Sequence, residues 1–179
     1  MQKNVRYLLL SLALLSPFCS LMKGYAAEQS LSVGYGFATL NEHTSTDRIE
    51  GGKNYDFFQF AYLYEMPFWS KVSIALEPFA ASVNRPESGL DAGFDVLARW
   101  YPCNVGASRL FVDLGVGIVY TTVHFEEQGT HLLGVLAVGV GLRYKQFFIE
   151  DRLRHYSNGD TAYPNRAVDA NIVSVGMYF

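Results

Sequence analysis

The stretch LFVDLGVGIVYTT, residues 110–122, decides the fold of this chain. Its even positions carry apolar or aromatic side chains up to Tyr120, whereas its odd positions include Asp113, Gly115 and Gly117. Apolar residues at every second position predict a β-strand, because successive side chains of a strand point to opposite faces. A face with Gly and Asp, opposite a face of Leu and Val, is unusual for a soluble core strand and typical of a barrel wall that faces lipid.

The same period of two recurs along the chain and predicts eight strands. The predicted strands are residues 31–39, 55–66, 71–83, 90–101, 110–122, 132–144, 147–156 and 169–179. In the third of them, Glu77 and Pro78 disturb the alternation. The connections alternate between long and short, which suits an outer-membrane barrel with long external loops and short periplasmic turns. The aromatic C-terminal residue, Phe179, resembles the assembly signal of bacterial outer-membrane proteins.

Composition narrows the fold class further. Half of the residues are hydrophobic and 15% are aromatic, yet no stretch after residue 26 contains 18 uninterrupted apolar residues, which excludes a spanning helix. A closed barrel instead pairs every backbone N–H and C=O group within the membrane. We therefore predict an all-β fold, an eight-stranded antiparallel transmembrane β-barrel, with a soluble β-sandwich as the alternative. Side chains fill the interior of so small a barrel, so we expect function in the loops or on the outer wall.

The first 26 residues have the features of a secretory signal peptide. Lys3 and Arg6 precede a short apolar run at residues 8–15, and small residues precede the predicted cleavage point. The apolar run is too short to cross a bilayer as a helix. The predicted organisation is therefore a signal peptide at residues 1–26 and one barrel domain at residues 27–179.

Charge and cysteine content limit the partners and the stabilising chemistry. Cleavage removes three of the 14 Lys and Arg residues and none of the 17 Asp and Glu residues, so the net charge moves from −3 to −6. With that charge and no basic run, we expect no nucleic-acid partner. Cys103 is then the only cysteine, so an intrachain disulfide cannot form.

Polar side chains interrupt the apolar wall on the last two predicted strands. His155 and Ser157 occupy odd positions of the seventh strand, and Asp169 occupies an odd position of the eighth. The odd face is the more apolar one in both strands, so we expect all three side chains on the lipid-facing side, at the external end. A serine, a histidine and a carboxylate can act as nucleophile, base and orienting acid. From spacing alone, a polar rim where the barrel meets lipid head groups remains an open alternative.

An acyl-transfer site also needs hydrogen-bond donors for the oxyanion of its tetrahedral intermediate. The local candidates are the side chains of Asn158 and Asn165 and the backbone N–H groups around Gly159 and Asp160. Of these two side chains, we expect that of Asn158 to support the loop.

The remaining polar residues have simpler interpretations. We expect Asp113, Glu150, Arg152 and Arg154 to pair internally and to fill the lumen. The three other histidines, His43, His124 and His131, show no metal-ligand spacing, and the glycines fall at strand period without forming a phosphate-binding loop. The sequence therefore predicts neither a metal site nor a cofactor.

The segment His155-Tyr156-Ser157-Asn158, followed by Pro164-Asn165 and an acid at position 169, resembles the lipid A 3-O-deacylase (PagL) family. The resemblance implies an eight-stranded barrel in the bacterial outer membrane. It also implies a serine esterase that removes the ester-linked 3-hydroxyacyl chain at position 3 of lipid A.

By the same resemblance, Ser157 is the nucleophile, His155 the base and Asp169 the acid, where the family has Glu. Aspartate is shorter by one methylene, roughly 1.5 Å of reach. Asn165 and Gly159 would form the oxyanion hole, although the glycine of the family lies one position later, where this chain has Asp160.

The partners implied by the resemblance are lipid A, or lipopolysaccharide, and the outer membrane, with no cofactor. The sequence leaves a homodimer open. It also leaves open a second hypothesis, a non-catalytic small outer-membrane barrel used for adhesion or envelope integrity. That hypothesis predicts that expression of the protein leaves the mass of lipid A unchanged.

Overall fold

The structure, a computed structural model, describes residues 27–38, 55–126 and 128–179. Within these residues the strands are β1 Glu28–Ala38, β2 Asp56–Trp69, β3 Val72–Arg85, β4 Gly89–Trp100, β5 Asn104–Val105, β6 Ser108–Thr121, β7 Leu132–Tyr144, β8 Phe147–Ser157 and β9 Val168–Tyr178. Eight of them match the predicted strands, and only the two-residue β5 was missed. The predicted signal peptide at residues 1–26 and the predicted loop at residues 41–54 lie outside the described residues. No helix among the described residues is long and apolar enough to cross a membrane.

The eight long strands close into one antiparallel barrel. Neighbours along the chain pair in order, and β1 pairs with β9 from Ser30↔Tyr178 to Ala38↔Ala170. β4 pairs with β6, which completes the ring, while β5 pairs only with the start of β6. This confirms the predicted eight-stranded antiparallel β-barrel, and the closed ring leaves no unpaired sheet edge.

The outer face of the barrel is apolar, and most charged side chains of the strands point inward, as the alternation predicts. On β6, Leu114 exposes 68% of its surface while the adjacent Asp113 exposes none. The irregularity expected on β3 disappears in the structure, because Glu77 points inward to the lumen and Pro78 outward, in step with the alternation. An exposed apolar wall of this extent is the surface that a barrel presents to lipid.

The lumen is filled by an ionic network. The guanidinium of Arg99 donates two hydrogen bonds to Asp113, at 2.8 and 2.6 Å. Arg152 bridges Glu77 and Glu150, with contacts of 2.5 and 2.6 Å. The other members are Glu65, Asp95 and Arg154. Buried charges are tolerated only when they are paired, so each arginine holds several strands together, and the predicted internal pairing of the lumen charges is confirmed.

Inward-facing glycines make room for this network. A Cβ atom at Gly117 would lie 2.0 Å from a carboxylate oxygen of Asp95, and one at Gly139 would lie 2.6 Å from a carboxylate oxygen of Glu150. These inward glycines therefore serve the tight interior of the barrel.

An apolar cluster closes the lumen at the external end. Tyr55 packs edge-on against Tyr156, with ring centroids 6.1 Å apart, and its hydroxyl donates to Asp91 at 2.5 Å. Burial holds the pKa of Tyr55 well above its usual value, so its phenol remains a protonated donor. Tyr156 lies on β8 between His155 and Ser157, so this cluster anchors the strand that carries the candidate site from inside.

Candidate active site

The register of β8 and β9 brings two of the predicted site residues together. His155 lies directly opposite Asp169, and the imidazole Nδ1 is 2.8 Å from the carboxylate Oδ1. An ionised carboxylate can only accept a hydrogen bond, so the neutral tautomer that fits this contact has its proton on Nδ1 and a lone pair on Nε2. The side chains of His155 and Asp169 are 41% and 15% exposed, so the imidazole remains accessible while its partner is held in the wall.

Ser157 lies on the same outward face, two residues beyond His155 and at the last position of β8. The two side chains, both in the described part of the chain, make no hydrogen bond with each other. A spacing of two residues along a strand corresponds to about 6.6 Å between Cα atoms, which two side chains pointing in the same direction can bridge. Nucleophile and base are often further apart before substrate binds. The structure thus brings the histidine and the carboxylate into contact and places the serine on the same outward face, two residues away.

The loop after Ser157 is held by Asn158. Its backbone N–H donates to the side-chain oxygen of Asn165 at 3.0 Å, and its amide nitrogen donates to the carbonyl oxygens of Ala162 and Pro164 at 3.0 and 2.9 Å. Asn158 is itself 5% exposed. It therefore acts as the internal support of the loop, the role preferred for it in the sequence analysis.

The two predicted oxyanion donors lie in this loop, in different situations. The amide nitrogen of Asn165 donates to a carboxylate oxygen of Asp160 at 2.8 Å, which uses one of its two N–H bonds. Gly159 and Asp160 have φ angles of 58° and 60°, in the left-handed region. Among the described residues, neither of their backbone N–H groups has an acceptor. These two groups are therefore available beside Ser157, whereas Asn165 is partly committed to the loop.

The resemblance led us to expect a glycine at position 160, where this chain has Asp160. Asp is among the few residues besides glycine that enter the left-handed region at moderate cost. Its carboxylate also accepts a hydrogen bond from the side-chain amide of Asn165, which helps to hold the curved loop in place. The left-handed backbone at position 160 is therefore compatible with an aspartate.

A contact that the sequence analysis missed pins the site loop to the connection between β6 and β7. Gln128 forms an isolated bridge with Asn165, and its side-chain amide donates to the carbonyl of Arg166. The backbone N–H of Gly129 donates to the carbonyl of Pro164 at 2.7 Å. These partners are more than 30 residues apart in sequence, so no local pattern could have indicated them.

The remaining polar groups stay outside this arrangement. The Nδ1 atom of His131 lies 2.9 Å from the carbonyl oxygen of Thr121, and the centroid of its ring lies 6.2 Å from that of His124. His43 lies outside the described residues. In the described part of the chain, no group of three or more His, Cys, Asp or Glu side chains could hold a metal ion. Further down the outer wall, Asn171 donates a hydrogen bond to Asp151.

Fold and site together define a small outer-membrane β-barrel that carries a histidine–carboxylate pair and a neighbouring serine on its lipid-facing wall. Residues 56–178 match the lipid A 3-O-deacylase (PagL) family, and the chain belongs to that family. It is therefore a protein of the bacterial outer membrane. Among curated protein sequences, none matches the chain significantly.

Solved structures agree on the fold. The outer membrane enzyme PagL superposes with a TM-score of 0.66 at 14% identity, over 83% of this chain and 98% of that one. Neisserial surface protein A gives a TM-score of 0.53 at 9% identity, over 85% and 94% of the two chains. The N-terminal barrel domain of Pseudomonas aeruginosa OprF gives 0.51 at 15% identity, over 88% and 100%. At these identities the likeness concerns the barrel and not its chemistry.

Proposed function

We propose that this protein is a serine esterase of the outer membrane that hydrolyses the ester-linked 3-hydroxyacyl chain at position 3 of lipid A. The observation that carries the proposal is the 2.8 Å contact between His155 and Asp169 on the outward face of the β8–β9 hairpin, in a member of the lipid A 3-O-deacylase family. A histidine and a carboxylate facing lipid are costly unless they have a partner or a task.

In the proposed reaction, Ser157 Oγ attacks the ester carbonyl carbon while His155 Nε2 takes the hydroxyl proton. The intermediate then breaks its bond to the sugar oxygen, and His155 returns the proton to that oxygen. A water molecule, deprotonated by the same imidazole, then attacks the acyl carbon. The bond between that carbon and Ser157 Oγ breaks, His155 returns the proton to Oγ, and a 3-hydroxy fatty acid leaves. Asp169 keeps Nδ1 protonated and stabilises the imidazolium in both halves of the reaction.

The charge on the tetrahedral oxygen needs donors that are already in place. We assign this role to the backbone N–H of Gly159, supported by the free N–H bond of the Asn165 side chain. Because Asp160 and Asn158 fix the loop, these donors would need little reorganisation when substrate binds.

The substrate would reach the site sideways from the outer leaflet. His155, Ser157 and Asp169 all lie on the outer wall, and the lumen behind them is closed by the apolar cluster around Tyr156. Lipid A is itself an outer-leaflet lipid, so its ester bonds lie at the height where the long loops meet the head groups. The barrel is thus a mount for the site, and its interior takes no part in transport of the substrate.

The test is release of 3-hydroxy fatty acid from lipopolysaccharide by protein purified in detergent, followed by mass spectrometry of the lipid A. Ser157→Ala and His155→Asn are each expected to lower the rate on the order of 10⁶-fold, to background. Matched controls are Ser82→Ala on the outer face of β3 and His124→Asn in the β6–β7 connection, which should retain full activity. Release that survives in the Ser157 and His155 variants would exclude this triad.

Unchanged lipid A mass with the wild-type protein would favour the non-catalytic barrel instead. The homodimer left open by the sequence can be measured on the same preparation by light scattering. The proposed chemistry uses residues from a single hairpin, so a monomer would be sufficient for activity.

A further inference from the structure

One strand glycine differs from all the others that the structure describes. Inside the barrel, a Cβ atom added to a strand glycine would collide with a neighbour. At Gly141, for example, it would lie 2.2 Å from the ring of Phe111, and at Gly176 it would lie 2.3 Å from the ring of Phe148. At Gly134 the only atom within 4 Å would be the carbonyl oxygen of Ser157, at an ordinary contact distance of 3.5 Å. Packing of the barrel therefore explains the inward glycines and leaves Gly134 unexplained.

Gly134 also faces the other way. It occupies an outward position of β7, between the outward and exposed Leu132 and Leu136. A glycine inside a strand weakens it, and one without a packing reason often marks a place where another molecule approaches the backbone closely. On a lipid-facing wall the default residue would be a branched aliphatic one, as at Val138 and Val140.

The register places this missing side chain beside the candidate nucleophile. Gly134 pairs with Ser157 on β8 and with Ile118 on β6. Directly paired side chains of adjacent strands stand about 5 Å apart, so a side chain at position 134 would stand next to the serine hydroxyl. Its absence leaves a notch in the outer wall, with Ser157 on one side and Ile118, Leu132 and Leu136 on the others.

We propose that Gly134 is a specificity-determining residue whose bare backbone provides clearance for the acyl side of the scissile ester at Ser157. The proposal rests on the esterase function given above. The rim formed by Ile118, Leu132 and Leu136 is apolar and exposed to lipid, which suits the first methylenes of an acyl chain. The hydroxyl-bearing sugar fits the opposite side, where the loop of residues 158–165 offers amide and carboxylate groups.

Filling the notch should therefore discriminate between substrates by size. Gly134→Ala, Gly134→Val and Gly134→Leu add bulk in steps, and the Cβ atom common to all three meets no clash among the described residues. Branched and larger residues also favour strands, so the barrel should remain folded. Ala98→Leu is the matched control, because it adds similar bulk, one carbon fewer than Gly134→Leu, to the outer face of β4 at a position that pairs with Ile74 and Leu114, away from the site.

Each variant is assayed for lipid A deacylation and for reaction of Ser157 with a small fluorophosphonate probe, after heat-modified electrophoretic mobility has shown a folded barrel. For Gly134→Leu we expect kcat/KM for lipid A to fall at least 100-fold, with intermediate losses for Ala and Val. Labelling by the small probe should stay within about threefold of wild type, as should both activities of Ala98→Leu.

Unchanged lipid A turnover in Gly134→Leu would overturn the proposal, as would an equal loss of turnover and probe labelling. Either result leaves the esterase function standing. A wild-type protein that neither deacylates lipid A nor reacts with the probe overturns the proposed function, and the role of Gly134 with it.

Discussion

Strand β8 carries polar side chains on both of its faces. The two sets differ in how many of their hydrogen-bonding groups have a partner. Its inward residues Arg152 and Arg154 are buried and reach carboxylates on β3 and β4, with Arg154 also bonded to the amide of Gln59 on β2. Within the described ranges its outward residue His155 has one partner, Asp169, and 41% of its side chain is exposed. Alternate residues of one strand thus serve opposite purposes. The inward guanidinium groups stabilise the barrel, whereas the outward imidazole has one nitrogen that is available to accept a proton.

If this division holds, changes outside should alter activity without altering stability, and changes inside should do the reverse. After the loss expected for the Ser157 and His155 variants, the largest effect is expected for Asp169→Asn. An amide can donate to Nδ1, which would move the imidazole proton to Nε2 and remove the base, so the deacylation rate should fall about 10⁴-fold.

The urea midpoint of this variant in detergent micelles should match that of wild type. Glu126→Gln in the β6–β7 connection is the control for loss of an external carboxylate and should keep its activity. An active Asp169→Asn protein would mean that the outward carboxylate is only a rim group.

The next effect is expected inside, for Arg99→Leu. This change leaves Asp113 buried and without its two hydrogen bonds from the guanidinium. Removing one partner of a buried ion pair typically costs about 3–5 kcal/mol, so the free energy of unfolding should fall by that amount. Activity per folded molecule should stay within twofold, as measured after separation of folded from unfolded protein by electrophoretic mobility.

Arg109→Leu is the matched control for that loss. Arg109 is exposed and lies over the ring of Tyr101 at 4.0 Å, a contact worth about 0.5–1 kcal/mol. A large loss of activity in folded Arg99→Leu protein would show that the network and the site are coupled, against the division drawn here.

The smallest effect should come from Asn158→Ala, which lies between the two sets because it is buried yet supports the site. Loss of its hydrogen bonds to Ala162 and Pro164 should reduce the free energy that stabilises the ordered loop by about 1–3 kcal/mol. We expect deacylation to fall roughly 10-fold to 100-fold, on the scale of 1.4 kcal/mol per decade, with the unfolding midpoint of the barrel unchanged. A lowered midpoint would instead assign Asn158 to the barrel core.

Much of the fold was accessible from sequence because barrel faces follow a local rule. The alternation around Asp113 and Leu114 predicted which side chains face inward, and the same rule placed His155, Ser157 and Asp169 outward. It did not predict β5, which is two residues long and has no alternation to detect. It also treated Glu77 and Pro78 as a disturbance, because the ion pair that explains Glu77 involves Arg152, 75 residues away.

The sequence indicated which residues make up the candidate site, but not the contacts that hold them in place. The roles of Gln128 and of Asp160, whose left-handed backbone supports Asn165, depend on contacts between separate segments of chain. Parity alone puts Gly134 on the outward face of β7, but the sequence could not show that Ser157 is its neighbour on β8.

By itself, the sequence determined parity, because the side-chain direction of a strand alternates residue by residue and needs no partner. Only the tertiary structure decided register, because register depends on how distant segments pair and on the loops that join them. Register sets His155 against Asp169 at 2.8 Å and Gly134 against Ser157. A slip of one residue would keep every strand and turn these side chains to the wrong face.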